Sequence, residues 1–213
     1  DIEITPLDQI QLKLDALGPG EEGDNRQLKD IYLQTLKYLQ DKQEYDNKAR
    51  QFNLLITDFT ERTEQLQQQI DGYLPEPLPK LSRLDTAEVD QLLAVTRAQL
   101  LDLRNKQDNL NNDLALIGSR RLAIPDLINK LKSAQDAIIE KAANDGGNNG
   151  EEISGAYKAL NNAHLTALVA QVKMLELELL SSDNRQSLLK QQLNLLAIEV
   201  EDLTLVESAL QEQ

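Results

Sequence analysis

The single histidine of the chain, His164, is the one imidazole that could serve as a general base or as a metal ligand. Catalysis requires a nucleophile, a base and an oxyanion donor that converge on one point. No second imidazole and no cysteine is present to complete such a set or a thiolate metal site. We therefore interpret His164 as a histidine on or beside a helix-packing face, and we predict no catalytic residue and no enzyme activity.

Two pairs of glutamates, Glu176 with Glu178 and Glu199 with Glu201, are the other candidates for acid–base chemistry. Residues two positions apart on a helix point to different faces. A pair of carboxylates that shares one reaction needs both groups on the same side. These glutamates are therefore interpreted as parts of solvated helix faces.

Two glycine-containing loops have the residue types of cation and phosphate sites. In the loop 144–150, counting from Asp145 places Gly147 and Ala156 at the third and twelfth positions of a calcium loop, where oxygen ligands are required. The turn 18–21 lacks the Lys and the Ser or Thr of a phosphate-binding loop. Both loops are therefore predicted to be surface connectors, and we expect no metal and no cofactor.

The elements that would position any such residue are long helices with a seven-residue repeat. Two columns of mostly apolar residues begin at Ile31 and Leu28 and together give the 3–4 alternation of a coiled coil. Five of the seven aromatic residues stand in the column of Ile31. The two columns form what we call the first seam: Ile31, Tyr38, Tyr45, Phe52, Phe59, Leu66 and Tyr73, with Leu28, Thr35, Lys42, Ala49, Ile56, Thr63 and Ile70.

The aromatic members of the first seam are predicted to be buried. Truncating Phe52 or Phe59 to alanine would then cost about 3–5 kcal/mol of stability. Tyr32 lies off the column and is expected to matter less.

Two further seams follow the first along the chain, and a strict seven-residue repeat predicts left-handed supercoiling. The second seam is Val89, Leu93, Thr96, Leu100, Leu103, Gln107, Leu110, Leu114, Ile117, Arg121, Ile124, Ile128, Leu131, Gln135 and Ile138. The third seam is Leu165, Leu168, Val172, Leu175, Leu179, Ser182, Gln186, Leu189, Leu193, Leu196, Val200, Leu203, Glu207 and Leu210.

Glycine and proline mark the ends of the predicted helices. Eleven of the fifteen fall in three gaps, within 18–23, 72–79 and 146–150. A glycine in each gap is expected to end a helix in the left-handed conformation. A helix start follows each gap, signalled by Asp24 with Gln27, Asp85 with Glu88, and Asn149 with Glu152.

These signals predict helices over about 6–17, 25–71, 86–143 and 151–213. Pro125 is expected to kink the third of them, and the polar residues at 181–184 predict either a bend or a break in the fourth. Short connectors make consecutive helices antiparallel neighbours. The predicted fold class is all-α, an elongated antiparallel bundle or coiled coil of three long helices plus a short N-terminal helix, in a single domain over 1–213.

The charge balance excludes several classes of partner. The chain has 36 Asp and Glu against 22 Lys and Arg, a net charge of −14. Such a surface repels phosphate backbones and anionic lipid headgroups, so we expect no nucleic acid. No uncharged apolar run approaches the roughly 18 residues of a membrane span, so direct insertion into a membrane is not expected either. The chain opens on Asp1 and its repeat continues to Gln213, which is typical of a piece of a longer protein.

Two stretches resemble one protein family. In 110–138, the segment from Arg120 to Pro125 is followed by leucines and then by Ala134-Gln135. In 174–193, an alternation of leucine and glutamate precedes the polar residues 181–184. With these features in this order, the region from Leu28 to Gln213 resembles the N-terminal periplasmic helical region of the large MscS-type mechanosensitive channels, of the MscK (KefA) kind.

The resemblance implies a periplasmic domain of an inner-membrane ion channel that relieves osmotic, or turgor, stress. It implies an accessory domain that modulates gating, spacing or assembly and does not itself conduct ions. Its partners would be the other subunits of a homo-oligomeric channel, with the cell wall or other periplasmic components as further candidates. The pore and the tension-sensing helices of the family would lie beyond Gln213.

Two alternatives stay open at this point. A free-standing coiled-coil adaptor would share the seams, and a helical ligand-sensing domain of a membrane receptor would share both the acidity and the long helices. The sequence beyond Gln213 would discriminate among them, since only a channel would continue into a pore helix.

Overall fold

The computed structural model describes residues 6–17, 24–75, 77, 85–144 and 151–212. Over these residues the chain forms six α-helices and no β-strand, so the predicted all-α fold class is confirmed. The helices are α1 (Pro6–Ala16), α2 (Asp24–Thr57), α3 (Phe59–Asp71), α4 (Thr86–Asn144), α5 (Glu151–Leu180) and α6 (Ser182–Gln211). The glycine-containing loops predicted at 18–23 and 145–150 lie outside the described residues.

The helices are shared between two compact units. The described residues of Asp1–Leu54 and Ala123–Leu180 form the first unit, and those of Leu55–Leu122 and Ser181–Gln213 form the second. The first unit therefore holds α1, α5, most of α2 and the C-terminal part of α4. The second holds α3, α6 and the N-terminal part of α4.

Two apolar clusters build the core of the first unit. In one, α1 packs on the beginnings of α2 and α5, through Ile10, Leu14, Leu28, Ile31, Tyr32 and Ala156. In the other, the C-terminal part of α2 meets α4 and the end of α5, through Ala49, Ile124, Ile128, Val172, Met174 and Leu175. Because α2 and α5 meet first at their beginnings and then near their ends, these two helices run in the same direction.

In the second unit α6 packs against α3 and α4. The ion pairs show its direction, because Arg97 of α4 pairs with Glu207 and Arg121 pairs with Asp183. As α4 advances, its partner on α6 moves back along the chain, so the two helices are antiparallel. This is the arrangement that short connectors predict.

The three seams form the packed faces of the helices. Every residue of the first and third seams is buried or half-buried. The same holds for the second seam except Arg121, which is exposed and pairs with Asp183. The seven-residue repeat therefore identifies the inward side of each helix correctly.

One long helix was predicted over 25–71, and this prediction is wrong at Asp58. The backbone there has φ −93° and ψ 4°, and α2 ends at Thr57 while α3 begins at Phe59. The hydroxyl of Thr57 donates to the Asp58 carboxylate at 2.8 Å, and the Asp58 carbonyl accepts the Arg62 N–H at 3.0 Å. These short-range polar bonds stabilise the non-helical residue.

The interruption predicted at 181–184 is confined to Ser181. Its backbone remains near helical values, with φ −78° and ψ −7°, and its carbonyl accepts the Arg185 N–H at 2.9 Å. The helix resumes at Ser182, so Asp183 lies inside α6 and not at its cap. Pro125, where a kink was predicted, lies within a helix that is continuous from Thr86 to Asn144.

The helix start predicted after the gap 72–79 is confirmed, whereas the helix end predicted before it differs in its backbone conformation. Asp85 and Glu88 form a reciprocal capping box, in which each backbone N–H donates to the other's carboxylate, at 2.8 and 2.9 Å. Gly72 ends α3 as predicted, but its φ of −91° is not left-handed. Glycine fits because a Cβ there would lie 2.9 Å from the carbonyl oxygen of Gln68.

Tyr32 is more deeply buried than the lesser role predicted for it implies. Its ring is 5% exposed and lies in the cluster between α1 and α5. Lys13 of α1 places its Nζ 5.7 Å from the ring centroid. Phe52 and Phe59, by contrast, are half-buried.

Candidate functional surfaces

His164 of α5 packs against the first seam. Its ring stacks on that of Tyr38, with 4.0 Å between the ring centroids and 7° between the planes. The imidazole is half-buried, and this burial lowers the pKa of His164 from its ordinary value of 6.5. The position agrees with the interpretation of His164 as a histidine beside a helix-packing face.

The lowered pKa of His164 predicts a pH dependence of stability. The unfolded chain binds the proton more readily than the folded chain, so protonation favours unfolding. Neutral His164 makes its full contribution to the free energy of unfolding above pH 6.5. This contribution is lost as the pH falls through the lower pKa of the folded state. Chemical denaturation between pH 7.5 and 5 should therefore show a steeper loss of stability for the unmodified chain than for His164→Phe, which keeps a stacked ring but does not titrate. Parallel curves would contradict the prediction, since the carboxylates are common to both chains.

The two glutamate pairs point to different sides of their helices, as their spacing predicted. Glu176 is exposed and lies 3.6 Å from the Nζ of Lys132, whereas Glu178 is buried. Glu199 is half-buried and Glu201 is exposed. Neither pair brings two carboxylates onto one face. The interpretation of Glu178 as part of a solvated face is wrong, because this residue is buried.

A carboxylate that sequence reasoning missed lies in the second unit. Asp202 is 8% exposed, and its Oδ2 accepts a hydrogen bond from the Tyr73 hydroxyl at 2.9 Å. The two residues line a cavity of about 450 Å³ with Asp102, Lys106 and Glu199. A hydrogen bond from Lys106 to Asp102, together with the charges of Asp102 and Glu199, raises the pKa of Lys106. Lys106, the cation among the described residues that line this cavity, is therefore held in an ion pair.

Carboxylates do not gather into a cation site in the part of the chain that the structure describes. There, no group of three or more His, Cys, Asp or Glu side chains is arranged to hold a metal ion. The burial of Asp202 could have been suspected only from its position next to Leu203 of the third seam. An aspartate beside a seam is ordinarily solvated, so the sequence did not indicate this burial.

A groove of about 780 Å³ runs between α1, α2 and α5 in the first unit. Its polar side chains bond to nearby partners. Lys42 pairs with Asp46 at 2.6 Å, and the Thr35 hydroxyl donates to the Ile31 carbonyl at 2.7 Å. The groove thus has partly apolar walls, and Lys42 and Thr35 are held by partners one helical turn away.

The outer surface is acidic. Several cations pair with a carboxylate one helical turn away: Lys42 with Asp46, Lys48 with Glu44, Arg62 with Asp58, and Lys106 with Asp102. Because carboxylates exceed cations by 14 in the chain, this negative charge would remain even if every cation were paired. Among the described helices, none combines the length and the apolar character that crossing a membrane requires.

Comparison with known families places nearly the whole chain in one match. Residues 13–213 match the family model described as the mechanosensitive ion channel porin domain. No curated protein and no solved structure gives a significant match.

Proposed function

The chain belongs to the mechanosensitive ion channel porin domain family, and from this membership we propose that it is an accessory domain of a mechanosensitive channel that does not itself conduct ions. The proposal follows the resemblance of the stretches around Pro125 and Ser181 to the channels of the MscK kind. In it, the domain lies in the periplasm, is carried by an inner-membrane protein, and acts in osmotic relief.

The packed centre of each unit is the observation that carries the non-conducting role. In the first unit Ile124 is 0% exposed and packs among side chains of α2, α4 and α5. In the second unit Leu100 of α4 and Leu203 of α6 are nearly inaccessible to water. An ion path needs a continuous hydrated lumen, and buried apolar side chains at these positions of each unit do not favour one.

The partners in this proposal are the other subunits of the same channel. An acidic bundle of this kind would modulate gating, set the spacing of the pore from the cell wall, or hold subunits together. Each of these roles uses the surface of the domain and none uses its interior.

Deletion of this domain from a channel that carries it tests the role. The truncated channel should still open under membrane tension with an unchanged unit conductance, while its threshold or its assembly changes. Patch recordings at stepped suction measure both quantities, and surface labelling confirms that the channel reaches the membrane. A changed unit conductance would place the domain in the ion path. A channel that reaches the membrane but never opens would make the domain part of the gate, and either result would refute an accessory role.

A further inference from the structure

Helix α1 is held in the first unit by a small packed face. Two of its eleven residues are buried, Ile10 and Leu14, whereas nine of the thirty residues of α5 are buried. Ile10 and Leu14 are 7% and 9% exposed, and the other four buried members of their cluster are 2% to 5% exposed. Helix α1 therefore lies at the edge of this cluster and not at its centre.

Helices α2 and α5 contact each other directly on both sides of the place where α1 packs. The side-chain amide of Gln27 donates to the Tyr157 hydroxyl at 3.2 Å, and the ring of Tyr38 stacks on that of His164. Tyr32, which contacts α1, lies between Gln27 and Tyr38 along α2. Because neither contact involves a residue of α1, the pairing of α2 with α5 does not depend on α1.

The helical form of α1 depends on its packing. The Gln11 amide donates to the Asp15 carboxylate at 3.0 Å, which is a bond within α1 and does not fix the helix to the unit. Lys13 lies over the Tyr32 ring, but an exposed ammonium contributes little there. A helix of eleven residues is too short to be stable alone in water. Release of Ile10 and Leu14 would therefore unwind α1 as well.

The groove of about 780 Å³ borders the packed face of α1. Ile10 and Lys13 line it together with Thr35 and Leu39 of α2 and Ala163 of α5. Helix α1 therefore covers only part of the surface between α2 and α5, and water can enter the open part of the groove beside Ile10.

We propose that α1 is a strap that releases from the first unit on its own, while α2 and α5 remain packed, and that its release exposes Tyr32 and the apolar surface around it. Elements with few buried contacts open at a lower free energy than the core of the same protein. The covalent link to α2 keeps the released strap close to the surface that it covers. The strap thus controls access to an apolar surface of the first unit. This inference is independent of the proposed channel role.

Thiol labelling tests the release, because the chain has no cysteine of its own. Leu14→Cys on α1 and Leu175→Cys on α5 each place one thiol at a buried position of the first unit. With a reagent that reacts slowly compared with closing, the thiol of Leu14→Cys should react at least about 100-fold faster than that of Leu175→Cys. Leu12→Cys, at a position 59% exposed, gives the rate without protection. Labelling of Leu14→Cys at that same rate would mean that α1 is never closed, and would overturn the proposal.

The dependence of labelling on urea separates local release from unfolding of the whole unit. The slope of an opening free energy against urea scales with the surface that the opening exposes. The slope for Leu14→Cys should therefore be less than about half of that for Leu175→Cys. Equal slopes would show that α1 opens only when the whole unit unfolds, which would overturn the proposal even if the cysteines themselves lower the stability.

Substitutions within the strap supply a matched pair. Ile10→Ala should speed the labelling of Leu14→Cys by roughly tenfold or more, because it removes half of the buried face of α1. Leu12→Ala, at an exposed position of the same helix, should leave the rate unchanged. Equal effects of the two substitutions would contradict the proposal. Hydrogen exchange of the unmodified chain is a further check, since the amides of α1 should exchange before those of α5, and simultaneous exchange would refute an independent strap.

Discussion

Replacing Ile124 with alanine is expected to lower the free energy of unfolding by about 2–5 kcal/mol. Ile124 is 0% exposed, and its cluster joins Ala49 of α2, Ile128 of α4 and Val172 of α5. Removing its methyl and ethyl groups loses their transfer free energy and leaves a cavity that three helices cannot easily close. Urea denaturation followed by helical circular dichroism measures the loss.

The control for this prediction lies two residues away on the same helix. Leu122 is 82% exposed, so Leu122→Ala should change the stability by no more than about 0.5 kcal/mol. Both positions are close to Pro125, so if any substitution in this segment destabilised the helix, both variants would lose stability. Similar losses at the two positions would contradict the assignment of Ile124 to the core.

Truncation of Tyr32 to alanine is expected to cost about 3–5 kcal/mol, the range for a buried aromatic side chain. Its ring fills the space between Ile10 and Leu14 of α1 and Ala156 of α5, and α1 has few other buried contacts. Phe59→Ala should cost less, because Phe59 is half-buried. Urea denaturation of the two variants gives the comparison.

Tyr32→Phe separates the contribution of the ring from that of the hydroxyl. Burial, and then the nearby charge of Glu152, raise the pKa of Tyr32, so the hydroxyl stays neutral at ordinary pH. The phenylalanine variant should therefore retain most of the stability. A larger loss of stability for Phe59→Ala than for Tyr32→Ala would contradict this prediction and support the order expected from the sequence, in which Tyr32 matters less than Phe59.

The seams could be predicted from the sequence because a seven-residue repeat is a direct record of burial. Apolar residues that recur at this spacing lie on one side of a helix, whichever elements that helix packs against. The capping box of Asp85 and Glu88 could be predicted for a similar reason, since its two bonds are formed within four residues. Local physics was enough in both cases.

The break at Asp58 could not be predicted because it leaves the repeat unchanged. Ile56 and Phe59 keep the three-residue step of the first seam on either side of it. A single non-helical residue without an insertion therefore leaves no trace in the periodicity. Its signal is a hydrogen bond between neighbouring side chains, which residue spacing does not record.

The burial of Tyr32, Glu178 and Asp202 could not be predicted for another reason. A seam identifies one packed side of a helix, but α5 and α6 each pack on more than one neighbour, and α1 covers a second side of α2. Which residues become buried on those additional sides depends on partners far away in the sequence. For the candidate surfaces, the sequence indicated the exposed character of Glu176 and Glu201 but not the hydrogen bond between Tyr73 and Asp202.

The unneutralised carboxylates of the outer surface connect the fold to the salt content of its surroundings. The Debye length is about 8 Å at 0.15 M salt and about 30 Å at 0.01 M. At the first value, repulsion between exposed carboxylates fades within about one helix diameter; at the second, it extends across neighbouring helices. Dilution of the medium therefore adds electrostatic repulsion within each helical unit, and concentrated salt removes it, so that the stability of the folded chain rises and falls with the ionic strength outside it.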